Sequence, residues 1–123
     1  MGTGELGRVY NDGEVIIRQG EAGDCMYEIQ GGKVEVIQDK GGKEICLAVL
    51  GKGDFFGEMA IFEHDVRSAT VRALGEVRAL TIDKRTFLRR ITEDPSLAFR
   101  IVERMSHRIR EMNNKLVRLK TGG

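Results

Sequence analysis

Glu58 and Arg67, nine positions apart, carry the strongest chemical signal in this sequence. They lie in the run Phe56-Gly57-Glu58-Met59-Ala60-Ile61-Phe62-Glu63-His64-Asp65-Val66-Arg67-Ser68-Ala69-Thr70-Val71. Residues 59–62 are too few for a full helix but enough for one turn. Such a turn, opened by Gly57-Glu58, points its first backbone N–H groups outward. The small residues Gly57 and Ala60 let an anion approach those groups closely. Arg67 then starts a strand beside Ser68 and Ala69. An arginine next to a hydroxyl and exposed amides makes a phosphate clamp, because the guanidinium fork matches two phosphate oxygens. Glu58 supplies a carboxylate acceptor for a ribose hydroxyl and lies close enough to hold Arg67 in place. The competing reading is a Glu58–Arg67 ion pair on a loop. Residue by residue that reading wins, since most such charges are only solvated; the combination at this spacing favours the clamp.

The elements that must position this segment are short strands punctuated by glycine. Val15-Ile16-Ile17-Arg18 is a β-rich run ending at Gly20. Cys25-Met26-Tyr27-Glu28-Ile29-Gln30 and Lys33-Val34-Glu35-Val36-Ile37 flank Gly31-Gly32, a hairpin signal. Asp39-Lys40-Gly41-Gly42 makes a second turn before Ile45, Leu47 and Val49 alternate with Glu44, Cys46 and Ala48. Later, Ala69, Val71 and Ala73 alternate with Ser68, Thr70 and Arg72, and residues 77–82 form one more strand. Sixteen glycines against one proline suit the turns that such a core needs. This pattern predicts a sandwich or barrel of the jelly-roll kind.

The last third changes period. Asp83 caps a short helix through Arg90 or a little beyond, which buries Phe87, Leu88 and Ile91. Asp94-Pro95 restarts the chain with an N-cap carboxylate and a proline at the first helical position. From there Val102, Met105, Ile109, Met112, Leu116 and Leu119 are spaced 3, 4, 3, 4, 3, a heptad seam. A helix lying on the barrel also needs one apolar stripe, but the seam runs on to Leu119, and a homodimer is the favoured reading. Lys115 and Lys120 flank the seam and weaken a parallel pair.

At 123 residues the chain reads as one domain, residues 1–123, with a β-roll over about 10–83 and helices over about 84–120. Residues 1–4 and 121–123 are read as flexible ends. A net charge of +1 makes no overall case for nucleic acid or membrane as a partner. The helix from Pro95 is basic, yet a solvated face explains that better than direct DNA contact. Cys25 and Cys46 read as small core residues without a disulfide. No signal-peptide pattern opens the chain, and no apolar run nears the ~20 residues that span a bilayer, so a soluble, cytoplasmic protein is expected. Two histidines, His64 and His107, are too sparse for a cupin-type metal site or a histidine-based triad. There is no Gly-x-x-x-x-Gly-Lys-[Ser/Thr] motif for ATP. The expectation is no catalysis and no metal.

With these residues in hand, the sequence resembles the cyclic nucleotide-binding domain family, shared by catabolite-activator-type regulators, cyclic-nucleotide-dependent kinases and gated channels. Its phosphate-binding cassette, Phe-Gly-Glu-(Leu/Met)-Ala…Arg-x-Ala-Thr, is present as Phe56-Gly57-Glu58-Met59-Ala60 and Arg67-Ser68-Ala69-Thr70. Gly13, Gly20-Glu21-x-Gly23-Asp24, Gly31-Gly32 and Gly51-x-Gly53-Asp54-Phe55 fit as well. The resemblance implies a mainly β fold with flanking helices. Its core is a double-stranded β-helix (jelly roll) of about eight strands, with a short phosphate-binding helix, a hinge helix and a long C-terminal helix. It implies a signal-transduction sensor that moves its C-terminal helix on binding its ligand. The ligand residues it implies are Gly57, Glu58, Met59, Ala60, Arg67, Ser68 and Ala69, with Arg67 on the cyclic phosphate and Glu58 on the ribose 2′-hydroxyl. Counting from Pro95 places Arg108, Met112 and Asn113 near the base; helix surface or dimer seam is an equal reading for all three.

Two departures stand out. Val66 replaces a proline common before the arginine, and Ser68 follows it as in the bacterial activators. Threonine there often accompanies cyclic GMP, so the expected ligand is cyclic AMP before cyclic GMP. Two alternatives stay open: the sensor part of a DNA-binding transcription regulator, or a degenerate dimerisation module. The intact Glu58 and Arg67 argue against the latter.

Overall fold

Alternating apolar residues assemble one antiparallel, six-stranded sheet in a computed structural model that describes residues 6–63 and 66–120. The expected loop position of His64 and the expected flexible ends therefore lie outside the described residues. The elements run β1 (Arg8–Tyr10), β2 (Val15–Ile17), β3 (Cys25–Lys40), β4 (Lys43–Gly51), β5 (Phe55–Phe56), α1 (Met59–Glu63), β6 (Thr70–Asp83), α2 (Lys84–Glu93) and α3 (Ser96–Lys120). Strand order is β1-β6-β3-β4, with β2 on β6 and β5 on β3. β3 and β6 form the spine, paired from Cys25↔Asp83 to Ile37↔Thr70. Both are interrupted by glycine at register shifts, so each contributes two arms. Counted by arm, the sheet supplies the eight runs of the jelly roll.

One turn differs from the sequence expectation. Gly31-Gly32 does not reverse the chain, because β3 continues through it to Lys40. Gly32 sits at φ +85, and a Cβ there would lie 2.3 Å from the Glu76 carbonyl oxygen. The pair therefore serves a bulge at which β3 and β6 approach closely. Gly41-Gly42 does make the hairpin: φ is 64 and 83, Lys40 pairs with Lys43, and the Gly42 amide donates to Asp39 Oδ1 at 2.9 Å. Positive φ at both central residues is what a two-residue primed turn demands.

The core lies inside the sheet, where Val34, Val77 and Ala79 are fully buried beside Ile29, Ala73 and Phe56. On β4 the alternation is present, but Ile45, Leu47 and Val49 occupy the exposed face and Leu50 the buried one. Cys25 is half-buried and Cys46 exposed, both as free thiols, so the expected core role of Cys46 does not hold.

The chain divides into two compact units, Met1–Thr86 and Phe87–Gly123. Asp83 caps α2 by accepting from the Thr86 amide at 2.7 Å. In α2, Phe87 is buried and Ile91 half-buried, whereas Leu88 is exposed, contrary to expectation. Asp94 caps α3: its carbonyl accepts from the Leu97 amide at 3.0 Å, and its carboxylate accepts from the Ser96 amide and hydroxyl. Along α3 only Leu97 and Ile101 are buried. The heptad seam is outside: Val102, Ile109, Met112, Leu116 and Leu119 are each more than half exposed. No helix among the described residues is long and apolar enough to cross a membrane.

Candidate functional site

β5 ends in two buried phenylalanines, and Phe56 stacks on Tyr27 of β3 with ring centroids 5.1 Å apart. That stack anchors the start of the cassette. Gly57 follows at φ +78, where a Cβ would meet Ile17 Cδ1 at 2.8 Å and Arg67 Nη1 at 2.9 Å. Only glycine satisfies both the backbone conformation and the space. The α1 turn then closes: the Ile61 amide donates to the Glu58 carbonyl at 3.0 Å, and the Ala60 amide makes a longer bond of 3.3 Å to the Gly57 carbonyl. Ala60 and Ile61 are buried, while Met59 and Phe62 face outward. Glu58 is half-buried, with Oε1 shielded from solvent.

Arg67 is the centre of the arrangement. Its Nη1 donates to the Gly57 carbonyl and its Nη2 to the Cys25 carbonyl, both at 2.8 Å. Its backbone is held equally well. The Arg67 amide donates to the Glu21 carbonyl at 2.8 Å, and the Gly20 amide donates to the Arg67 carbonyl at 2.9 Å. An isolated bridge between Ala22 and Val66 continues this pairing. The sequence assigns the anchoring of Arg67 to Glu58; the structure ties the fork to two backbone carbonyls from segments far apart in the chain. A guanidinium has five N–H donors, so this anchoring leaves donors over for an anion.

The neighbours complete the frame. Gln38 donates from Nε2 to the Ser68 carbonyl at 3.2 Å, and Thr70 Oγ1 accepts from the Gln19 amide at 3.0 Å. Ser68 is exposed and Ala69 half-buried. Burial raises the Tyr27 phenol well above its ordinary range, and a hydrogen bond with Cys25 adds to this, so the ring stays neutral at the base of the site. On β6, Arg72 is gripped by Glu35 at a side-chain distance of 3.0 Å from Nε, and the ion pair holds its guanidinium protonated.

Of the expected ligand residues Gly57, Glu58, Met59, Ala60, Arg67, Ser68 and Ala69, all in the first unit, the structure puts Arg67 in contact with Gly57. Arg108, Met112 and Asn113 belong to α3 in the second unit, where Arg108 is half-buried and the other two are exposed. Sequence reasoning missed the part played by residues 20–25, which grip Arg67 from both its backbone and its side chain. Its signal was the glycine-rich Gly20-Glu21-Ala22-Gly23-Asp24 stretch, read only as a flanking feature. Among the described residues no group of three or more His, Cys, Asp or Glu is placed to hold a metal.

Comparison with known proteins identifies the family. The family model of the cyclic nucleotide-binding domain matches residues 7–94. A cAMP-dependent protein kinase regulatory subunit of Blastocladiella emersonii is 42% identical over 81 residues, which covers 65% of this chain and 20% of that protein. A CRP-like cAMP-activated global transcriptional regulator of Mycobacterium tuberculosis is 32% identical over 108 residues, covering 87% of this chain and 48% of that protein. Among solved structures, the Thermus thermophilus catabolite activator protein superposes with a TM-score of 0.77 at 32% identity, covering 92% of this chain and 54% of that one. The chain therefore spans about a fifth to a half of the length of these relatives. The cassette geometry and the match over residues 7–94 lead to one conclusion: this chain belongs to the cyclic nucleotide-binding domain family.

Proposed function

We propose that this domain is a regulatory sensor, not an enzyme, that binds cyclic AMP in preference to cyclic GMP through the cassette. The observation that carries this reading is the anchored Arg67 fork, whose remaining N–H donors suit the two exocyclic oxygens of a cyclic phosphate. Glu58 accepts from the ribose 2′-hydroxyl, and amides near Gly57, Met59, Ala60 and Ser68 or Ala69 complete the phosphate contacts. Cyclic AMP is favoured by Ser68 and by relatives whose names couple them to cAMP. Arg108, Met112 and Asn113 are the candidate base contacts. Binding shifts α3 about the Asp94-Pro95 hinge, and the exposed seam of α3 pairs two copies. Such coupling requires that the nucleotide bind the two helix positions with different affinity.

The test is calorimetric titration with cyclic AMP and cyclic GMP. Wild type is expected to bind both, cyclic AMP more tightly. Arg67→Ala is expected to lose about 100-fold, near 3 kcal/mol, as for a bidentate charge-assisted contact. Unchanged binding by Arg67→Ala sinks the assignment. A second reading is that the chain is the sensor part of a DNA-binding transcription regulator, supported by its 32% identity to a CRP-like regulator over 87% of this chain. A salt-resistant, sequence-dependent gel shift with DNA supports that reading, and its absence counts against direct DNA contact by this segment.

A further inference from the structure

The guanidinium of Arg67 occupies the space where a side chain of residue 23 would stand. A Cβ built on Gly23 lies 2.2 Å from Arg67 Nε, 2.4 Å from Cζ and 2.5 Å from Nη2. Real carbon atoms never approach so closely, so side chain 23 and this position of Arg67 exclude one another. Gly23 is also not at positive φ, so its backbone is open to any residue. Gly20, three residues earlier, is the reverse case, with φ +89 and open space around its Cβ position. Gly20 answers a backbone need, and Gly23 a need for room.

We infer that Gly23 is a positioning residue for the phosphate-binding arginine: its missing side chain is one wall of a slot that orients the Arg67 fork. Gly57 is a second wall, with its Cβ position 2.9 Å from Nη1, and the carbonyls of Cys25 and Gly57 hold the fork. This rests on the reading of Arg67 as the phosphate ligand. The backbone pairing of Arg67 with Gly20 and Glu21 keeps the chain in place if the side chain is displaced. A methyl group at position 23 therefore moves only the flexible end of Arg67. It breaks the two carbonyl bonds and presents the phosphate with a fork that is no longer pre-oriented.

The experiment is a double-mutant cycle in the full chain, read by titration with cyclic AMP. Gly23→Ala is expected to weaken binding about tenfold, with a melting temperature close to wild type. Arg67→Ala with Gly23→Ala is expected to bind no worse than Arg67→Ala alone, because the clash needs the guanidinium. In the ligand-free protein, the Arg67 Nη–H resonances are expected to be slowed by the two carbonyls and averaged in Gly23→Ala. Wild-type affinity in Gly23→Ala overturns the inference while leaving the ligand assignment intact, provided Arg67→Ala still loses binding. Additive costs also overturn it, since they mean that Gly23 acts on the loop independently of Arg67. If Arg67→Ala binds normally, the phosphate reading falls and the inference with it. Should Gly23→Ala fail to fold, recovery of the fold on adding Arg67→Ala supports the slot, and continued misfolding refutes it.

Discussion

The cassette and α3 treat their functional side chains in opposite ways. Around Arg67 both side chain and backbone are held: two carbonyls take the fork, Gly20 and Glu21 take the backbone, and two glycines stand where side chains would collide with it. Along α3 the apolar seam stands in solvent, with Ile109 58% exposed and Leu119 74% exposed. The first is a site whose geometry is held by contacts within the chain. The second is a surface whose geometry depends on what covers it. On the proposed sensor reading this division is useful, because recognition needs a rigid frame and signalling needs an element with more than one home.

That contrast can be broken by moving effects to the wrong side. The largest expected change is the 100-fold affinity loss of Arg67→Ala, with little effect on melting; a large drop in stability instead recasts Arg67 as a structural brace. Gly57→Ala comes next. Its φ of +78 and the contact with Ile17 Cδ1 cost about 2 kcal/mol in a denaturant titration, and nucleotide affinity falls with them.

The α3 variants are smaller in energy. Asp94→Ala removes the cap and is expected to lower the denaturation midpoint measurably but modestly. The Ser96 hydrogen bonds, with help from Arg100, hold the Asp94 carboxyl below the usual carboxylate range. A depressed acid stabilises the folded state above its unfolded pKa and loses that effect as pH falls through the folded one. Helicity measured by circular dichroism should therefore decline below about pH 4, and Asp94→Ala should flatten that decline. The smallest stability effect belongs to Ile109→Asp, within about 0.5 kcal/mol for so exposed a site. Its consequence should appear in sedimentation, as a dimer becoming a monomer. A monomeric wild type at working concentrations removes the seam from the dimer role and leaves the cassette untouched.

Much of this was legible along the chain because it follows from local rules. The cassette residues form one contiguous run, the Asp83 and Asp94 caps obey the N-cap preference, and the heptad spacing of α3 is periodic. The strand runs and their glycine turns pointed to a sandwich or barrel of the jelly-roll kind, and the family resemblance supplied the eight strands. Where two identical dipeptides had to be told apart, local rules failed. Gly41-Gly42 turns because both residues take positive φ, as a two-residue primed turn demands. In Gly31-Gly32 only Gly32 takes positive φ and β3 runs on through the pair, where the Glu76 carbonyl lies 2.3 Å from the place a Gly32 side chain would begin. The exposure of the Ile45, Leu47 and Val49 face had the same origin, since alternation shows that two faces differ but not which one the sheet buries.

The sequence by itself determined the residue types at the site, the caps and the glycines; the tertiary structure alone decided what holds Arg67. Its partners are backbone carbonyls, which every residue carries and no letter distinguishes. Cys25 and Gly57 become anchors only because the paired strands bring residues 25, 57 and 67 to one place. The same folding turns Gly23 from a residue that merely lacks a side chain into the space that the arginine fills.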